Sequence, residues 1–238
     1  MFSLKNDHAS SKFGLEKKIL LPVLLLLFVA LLYYNFAYTE TTRPGAMLQE
    51  TLHNMEHNFD AFELEIIERG PGYTMEFQGN LKNNNIIYGK ISNYKLDIYK
   101  HSSGKLFIKD LKDDSWKQAI ELELDSLQGF FISPLQLLVS WSDLFKKAKF
   151  VKYPGEEERV ILLDVPPQEF VRTVFPGNSL EEKSLLLECL VYIDPDEQFI
   201  NQMNLTLFEQ NLSKIIFNRT FFIKRFGQKF PGSSPAVI

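Results

Sequence analysis

One cysteine in 238 residues, Cys189, excludes an intrachain disulfide and any cysteine-rich zinc site. It lies in Leu185-Leu186-Leu187-Glu188-Cys189-Leu190-Val191, an apolar strand pattern, and reads as a small buried hydrophobe rather than a nucleophile. Basic charge is not in excess. With 26 Lys and Arg against 30 Asp and Glu, the net charge is -4, so nucleic-acid binding has no electrostatic footprint. Histidine is scarce too: beyond the N-terminal region the chain holds His53, His57 and His101, none next to an obvious nucleophile. No Gly-x-Ser-x-Gly elbow, Gly-rich phosphate loop or His-Glu-x-x-His motif occurs. The chain is therefore read as a non-enzyme without a cofactor. A hydrolase of lipids or cell-wall material is the weakest of the readings kept.

One long apolar run is present. Residues 1–18 are polar and carry Lys5, Lys12, Lys17 and Lys18, after which Ile19 to Tyr38 contains no charge. At about 1.5 Å per residue such a run spans about 30 Å, the thickness of a bilayer's hydrocarbon core. The lysines precede it and Glu40 follows, which predicts a cytoplasmic N-terminus and an extracytoplasmic C-terminal domain. Tyr33, Tyr34, Phe36 and Tyr38 fit an interfacial aromatic belt. Asn35-Phe36-Ala37 supplies only one of the two small residues that cleavage requires, so a retained single-pass signal anchor is expected over a cleaved peptide. An exported domain lacking disulfides fits a bacterial cell envelope. The expected plan is a cytoplasmic segment 1–18, an anchor 19–38, a linker 39–46, one domain over 47–226 and a flexible tail 227–238.

Within that domain, Leu48, Leu52, Met55 and Phe59 recur at helical spacing, with Glu50, His53 and His57 opposite. Two histidines four apart could hold a metal, but no further ligands accompany them, so a solvated face is the better reading. From Tyr73 to Trp116 the chain reads as four or five short strands. Met75, Phe77 and Leu81 alternate with polar residues, and Asn83-Asn84-Asn85, Ser92-Asn93, Ser102-Ser103-Gly104 and Lys112-Asp113-Asp114 cut the run into hairpins. Trp116 and the Leu122, Leu124 pair are expected to end this sheet segment.

Ser133-Pro134 predicts a capped helix start, with Leu135, Leu138, Val139, Ser142 and Phe145 as its core stripe and Leu137, Trp141 and Leu144 elsewhere. Lys146, Lys147, Lys149 and Lys152 at its end suit a solvated terminus more than a lipid-headgroup contact. Val160 to Leu163 reads as a strand, and Pro166-Pro167 opens a helix with Phe170, Val171, Val174 and Phe175 on one face. Two strands flank Asp194-Pro195-Asp196-Glu197, which reads as a hairpin turn rather than a calcium loop. The last strand should place Ile215, Phe217, Phe221 and Ile223 on one side. Asn204, Asn211 and Asn218 open glycosylation sequons, which carry no meaning in a bacterial protein.

The helix with leucines at helical spacing, the run Gly104-Lys105-Leu106-Phe107-Ile108-Lys109, Trp116 after an acidic turn, and the Val191-Tyr192-Ile193-Asp194 strand leading through a turn to Phe199-Ile200 resemble the LolA/LppX-like lipoprotein-carrier superfamily. That resemblance covers about Met47 to Phe226 and implies an α+β fold. It implies an N-terminal helix followed by an antiparallel sheet bent into a half-barrel, with helices on its concave face over an apolar cavity. An anchored chain departs from the periplasmic carriers, which shuttle freely. The expected partner is a lipid or other hydrophobic small molecule. If the sheet's apolar face is the concave one, Met75, Phe77, Ile87, Leu96, Ile98, Leu106, Ile108, Leu138, Trp141 and Val174 line the cavity. The alternative is an interaction or sensor module whose sheet face or edge docks a partner envelope protein. A plain filled core has the same composition, so sequence alone leaves cavity and core open.

Overall fold

The structure, a computed structural model, describes residues 22, 25–33, 43–109, 114–151, 159–174, 185–209 and 214–225. Two compact units divide after Arg43. In the first, Pro22 and residues 25–33 are helical and the apolar side chains from Leu25 to Tyr33 are exposed. Among the described residues no helix is long and apolar enough to cross a membrane. Much of the expected 19–38 span, including its aromatic end at 34–38, lies outside the described residues, as do the tail 227–238, Phe175 and Asn211.

The second unit begins with helix α1 (Pro44–Asn58), which already takes in the last residues of the expected linker. Strands β1 (Ala61–Gly70), β2 (Tyr73–Lys82), β3 (Ile86–Ile91), β4 (Leu96–Lys100), β5 (Leu106–Lys109) and β6 (Trp116–Gln118) then run as a meander. A crossing segment follows, built of 3-10 turns at Ala119–Leu122 and Asp125–Gly129, helix α2 (Pro134–Ser140) and a 3-10 turn at Ser142–Lys147. The chain returns through β7 (Lys149–Val151), β8 (Arg159–Val165), helix α3 (Pro167–Val174), β9 (Leu185–Asp194), β10 (Phe199–Glu209) and β11 (Lys214–Arg225). Every neighbouring pair is antiparallel, in the order β6-β5-β4-β3-β2-β1-β11-β10-β9-β8-β7. First and last strands therefore meet at the centre of one curved, unclosed sheet. Three-residue strands form both of its edges, which limits edge-to-edge pairing with other chains.

Alternation sets the register. Along β1 the pattern buries Phe62, Leu64, Ile66 and Glu68, and cross-strand pairing carries the same face outward through Leu81, Phe77, Ile87, Ile91, Ile98, Leu106 and Ile108. Gly79 and Gly89 face each other on this side. A methyl group on either would lie 2.5 Å or 2.7 Å from the Phe77 ring, so the paired glycines give that ring its bed. Helix α1 buries Leu48, Leu52 and Met55 in the same core, and the Met55 thioether accepts the Ile200 N–H at 3.3 Å. That amide adjoins the register shift between Ile200 and Gln202, where the ladder loses step.

Three expectations change. Leu122 and Leu124 do not extend a strand, because β6 stops at Gln118 and the backbone winds into 3-10 turns. The helix from Pro134 ends at Ser140, and the switch to 3-10 winding after it rotates the apolar face. Ser142, past the switch, is consequently exposed and Trp141 is buried, while within the helix itself Leu137 is buried and Val139 is exposed. Ile215 is 60% exposed at the start of β11, outside the register shift at Leu207/Phe208, and the buried side of that strand holds Phe217, Arg219, Phe221 and Ile223.

Candidate functional site

Eight of the ten residues expected to line a cavity are buried in one core: Phe77, Ile87, Ile98, Leu106, Ile108, Leu138, Trp141 and Val174. Met75 and Leu96 are half-buried and pack against it. The sheet supplies seven of the ten; Leu138 comes from α2, Trp141 from the residue after it and Val174 from the end of α3. Phe131 of the crossing segment packs edge-on against Phe77 with ring centres 5.1 Å apart, so this segment is the cover over the β1–β5 half of the inner face. Among the described residues, two surface depressions lie elsewhere. One of about 460 Å³ runs between α1 and residues 139–145, lined by Leu52, His53, Val139 and Phe145 among others. The other, of about 420 Å³, is on the outer face at Glu63, Glu65, Gln78, Asn80, Phe222 and Lys224. None of the ten residues lines either depression.

The inner face is not wholly apolar. Glu68 and Arg219 are cross-strand partners on β1 and β11, 3% and 1% exposed. Arg219 Nε donates to Glu68 Oε2 at 2.7 Å, and Nη2 lies 2.5 Å from the same oxygen. Its Nη1 donates to the Gly129 carbonyl at 2.9 Å, while the rings of Phe130, Phe217 and Phe221 stand 5.3, 5.1 and 5.9 Å from the guanidinium carbon. Tyr73 donates its hydroxyl to Glu68 Oε1 at 2.7 Å. Burial, and then the bond to Glu68, pushes the Tyr73 phenol far above its ordinary value. Burial lowers the pKa of Arg219, and the adjacent carboxylate pulls it back up. One guanidinium thus ties both central strands to the cover.

A third hidden charge, Lys100, lies at the end of β4, 8% exposed and paired across the ladder with Ile87 and Leu106. Its Nζ donates to Asn85 Oδ1 at 3.3 Å. Burial alone pushes its pKa down from 10.5 to about 8. The folded state therefore sheds this proton before the unfolded chain does, and stability should rise as pH climbs from about 8 to 10.5. Replacement by methionine removes the cost: Lys100→Met is expected to gain on the order of 2–3 kcal/mol at neutral pH. Urea melts at pH 7 and pH 10.5 check this, since the variant's advantage should disappear at the higher pH.

Alternation could have found all three charges. Glu68 stands two residues after Ile66, Lys100 two after Ile98, and Arg219 midway between Phe217 and Phe221, so each falls in phase with apolar neighbours.

The other sequence candidates resolve locally. His53 and His57 are exposed on α1, with His57 Nδ1 2.9 Å from the His53 carbonyl, and no metal-binding group of three or more ligands occurs among the described residues. His101 does have a hydroxyl beside it, contrary to expectation: Nδ1 is 2.9 Å from Ser103 Oγ and accepts the Ser103 N–H at 3.1 Å. Those contacts close the β4–β5 turn. Asp194 Oδ1 accepts from the Asp196 and Glu197 amides at 2.9 and 3.0 Å, the hairpin-turn role expected of it. Cys189 is fully buried and its thiol is pushed far above the ordinary range, so thiol reagents should label it only after unfolding, as Ellman titration with and without guanidinium would show.

No protein-family model and no curated protein matches the chain. Solved structures do. The lipoprotein LppX of Mycobacterium tuberculosis is similar at 10% identity and a TM-score of 0.46, over 75% of this chain and 93% of that one. MucB is similar at 12% identity and a TM-score of 0.37, over 80% of this chain and 59% of MucB. A domain described as an outer membrane lipoprotein-sorting protein from Vibrio parahaemolyticus matches at 9% identity and 0.30, over 79% and 93%. At these scores the likeness is one of outline.

Proposed function

We propose that residues 44–225 form a carrier or holder of an apolar guest, fixed outside the cell by an anchor at 19–38 whose N-terminus stays in the cytoplasm. The observation that supports it most is the way the inner face is covered. An apolar surface on one open sheet lies beneath a segment of short helices and 3-10 turns, from Ala119 to Lys147. Such a cover has few regular hydrogen bonds of its own and can open at lower cost than strands in the ladder. The guest enters by displacing the cover from side chains that otherwise pack together, and the open β6 and β7 edges let the sheet flex as it does so. A filled resting core is compatible with this route, because the guest replaces contacts that Phe131, Leu138 and Trp141 make when the face is empty.

The test is direct. Full-length protein purified from its host membrane in amphipol, then delipidated in organic solvent, should release lipid in a stoichiometric amount by mass spectrometry. Lipid recovered only at the level of an unrelated single-pass protein prepared in parallel contradicts the proposal.

A further inference from the structure

Across one rim of the inner face runs the cross-strand row Arg225, Phe62, Leu81, Ile87, Lys100, Leu106. Its two cations differ in one respect. Arg225 has an acid, Glu197 Oε2 at 3.4 Å, and lies over the rings of Phe59 and Phe199. Lys100 has none among the described residues: its ammonium carries three N–H groups and there meets only the neutral Asn85 Oδ1. The Asn85 amide nitrogen is already committed to the Ser102 carbonyl at 2.7 Å, which fixes the oxygen toward the lysine. On the same β2–β3 turn, Asn84 Oδ1 is buried without a hydrogen-bond partner. Hidden ammonium groups are ordinarily paired, since a lone one in an apolar setting is costly. Arg219, deeper in the same core, follows that rule.

Resting on the carrier reading above, we propose that Lys100 receives the acidic head of an anionic amphiphile whose hydrocarbon body lies along the inner face, so that the guest is an acidic rather than a neutral lipid. The residues beside the lysine suit such a molecule. Ile87 and Leu106 flank it on the neighbouring strands, and Ile98, on its own strand, leads into the core. A carboxylate or phosphate at the rim would supply the missing counter-charge, and a hydroxyl next to it could donate to Asn84.

The full chain in amphipol, delipidated, is titrated with oleate, lysophosphatidate and oleyl alcohol, and displacement of a fluorescent acyl probe is read. At least one acid should bind about tenfold or more tightly than the alcohol, the size expected of a charge-assisted hydrogen bond. Which acid is tighter identifies a carboxylate or a phosphate head. Lys100→Met should bring both acids to the level at which that variant binds the alcohol, and Lys100→Arg should keep the preference. Equal binding of acids and alcohol to the unaltered protein, or a preference that survives Lys100→Met, overturns the role of Lys100 and leaves the carrier reading standing. Failure of all three probes to bind overturns both.

Discussion

Arg219→Met is expected to destabilise the protein by about 3–5 kcal/mol, because it leaves the Glu68 carboxylate inside the core with its main partner gone. The urea midpoint should fall by about 2 M for a domain of this size. Tyr73 would still donate to Glu68 Oε1, but a single phenol does not replace a guanidinium that contacts the carboxylate through Nε and Nη2. Glu68→Leu should cost a similar amount for the opposite reason. The two changes together should cost less than the sum of the singles and less than the worse of them, since two apolar side chains satisfy each other where one charge cannot be satisfied. Additive losses in that double-mutant cycle would mean that the pair acts independently of its contact.

Gly129→Ala should be the other severe substitution, at about 3 kcal/mol. An added methyl would stand 1.7 Å from the Val174 carbonyl oxygen, in backbone that cannot swing aside without moving the end of α3. The Gly129 carbonyl is also the acceptor for Arg219 Nη1, so the same shift would pull the cover off its tie to the sheet. Gly72 is the control. It has φ +84 and open space around it, so alanine there should cost only the about 1 kcal/mol of its left-handed backbone. If the cover gates the inner face, Gly129→Ala should also release a bound acyl probe faster, whereas Gly72→Ala should not. Stopped-flow exchange of the probe and thermal melts measure the two effects side by side.

Much of this arrangement was legible in the chain. Period-two alternation places β1 to β5 and β11, where a slip of one residue would expose the core face, and apolar runs with the turn at residues 194–197 place β8 to β10. The crossing segment was read less well. Within α2 the buried residues are Leu135, Leu137 and Leu138 and Val139 is exposed, and a helix of seven residues is too short for its period to settle that face; Ser142 is exposed where the chain tightens into 3-10 winding after Ser140. The edge strand β7 has only Lys149–Val151 and too few residues to show a period. Charges were the other blind spot. Phe217 and Phe221 read as core residues, whereas the charge of Arg219 between them points to solvent, although its position in the alternation dictates burial. Of the ten residues expected as a lining, seven lie in the sheet and three on or beside the helices, and sequence has no signal for whether facing side chains meet each other or a guest.

The two tryptophans offer a measurement of that difference. Trp141 belongs to the cover and is buried against the core, whereas Trp116 is half-buried on the outer face of β6, edge-on to Tyr99. A brominated acyl chain quenches only indole it touches. With Trp116→Phe and Trp141→Phe variants isolating each emitter, a guest on the inner face should quench Trp141 strongly and leave Trp116 bright. Quenching of Trp116 with Trp141 unchanged would put the lipid on the outer surface and contradict the account.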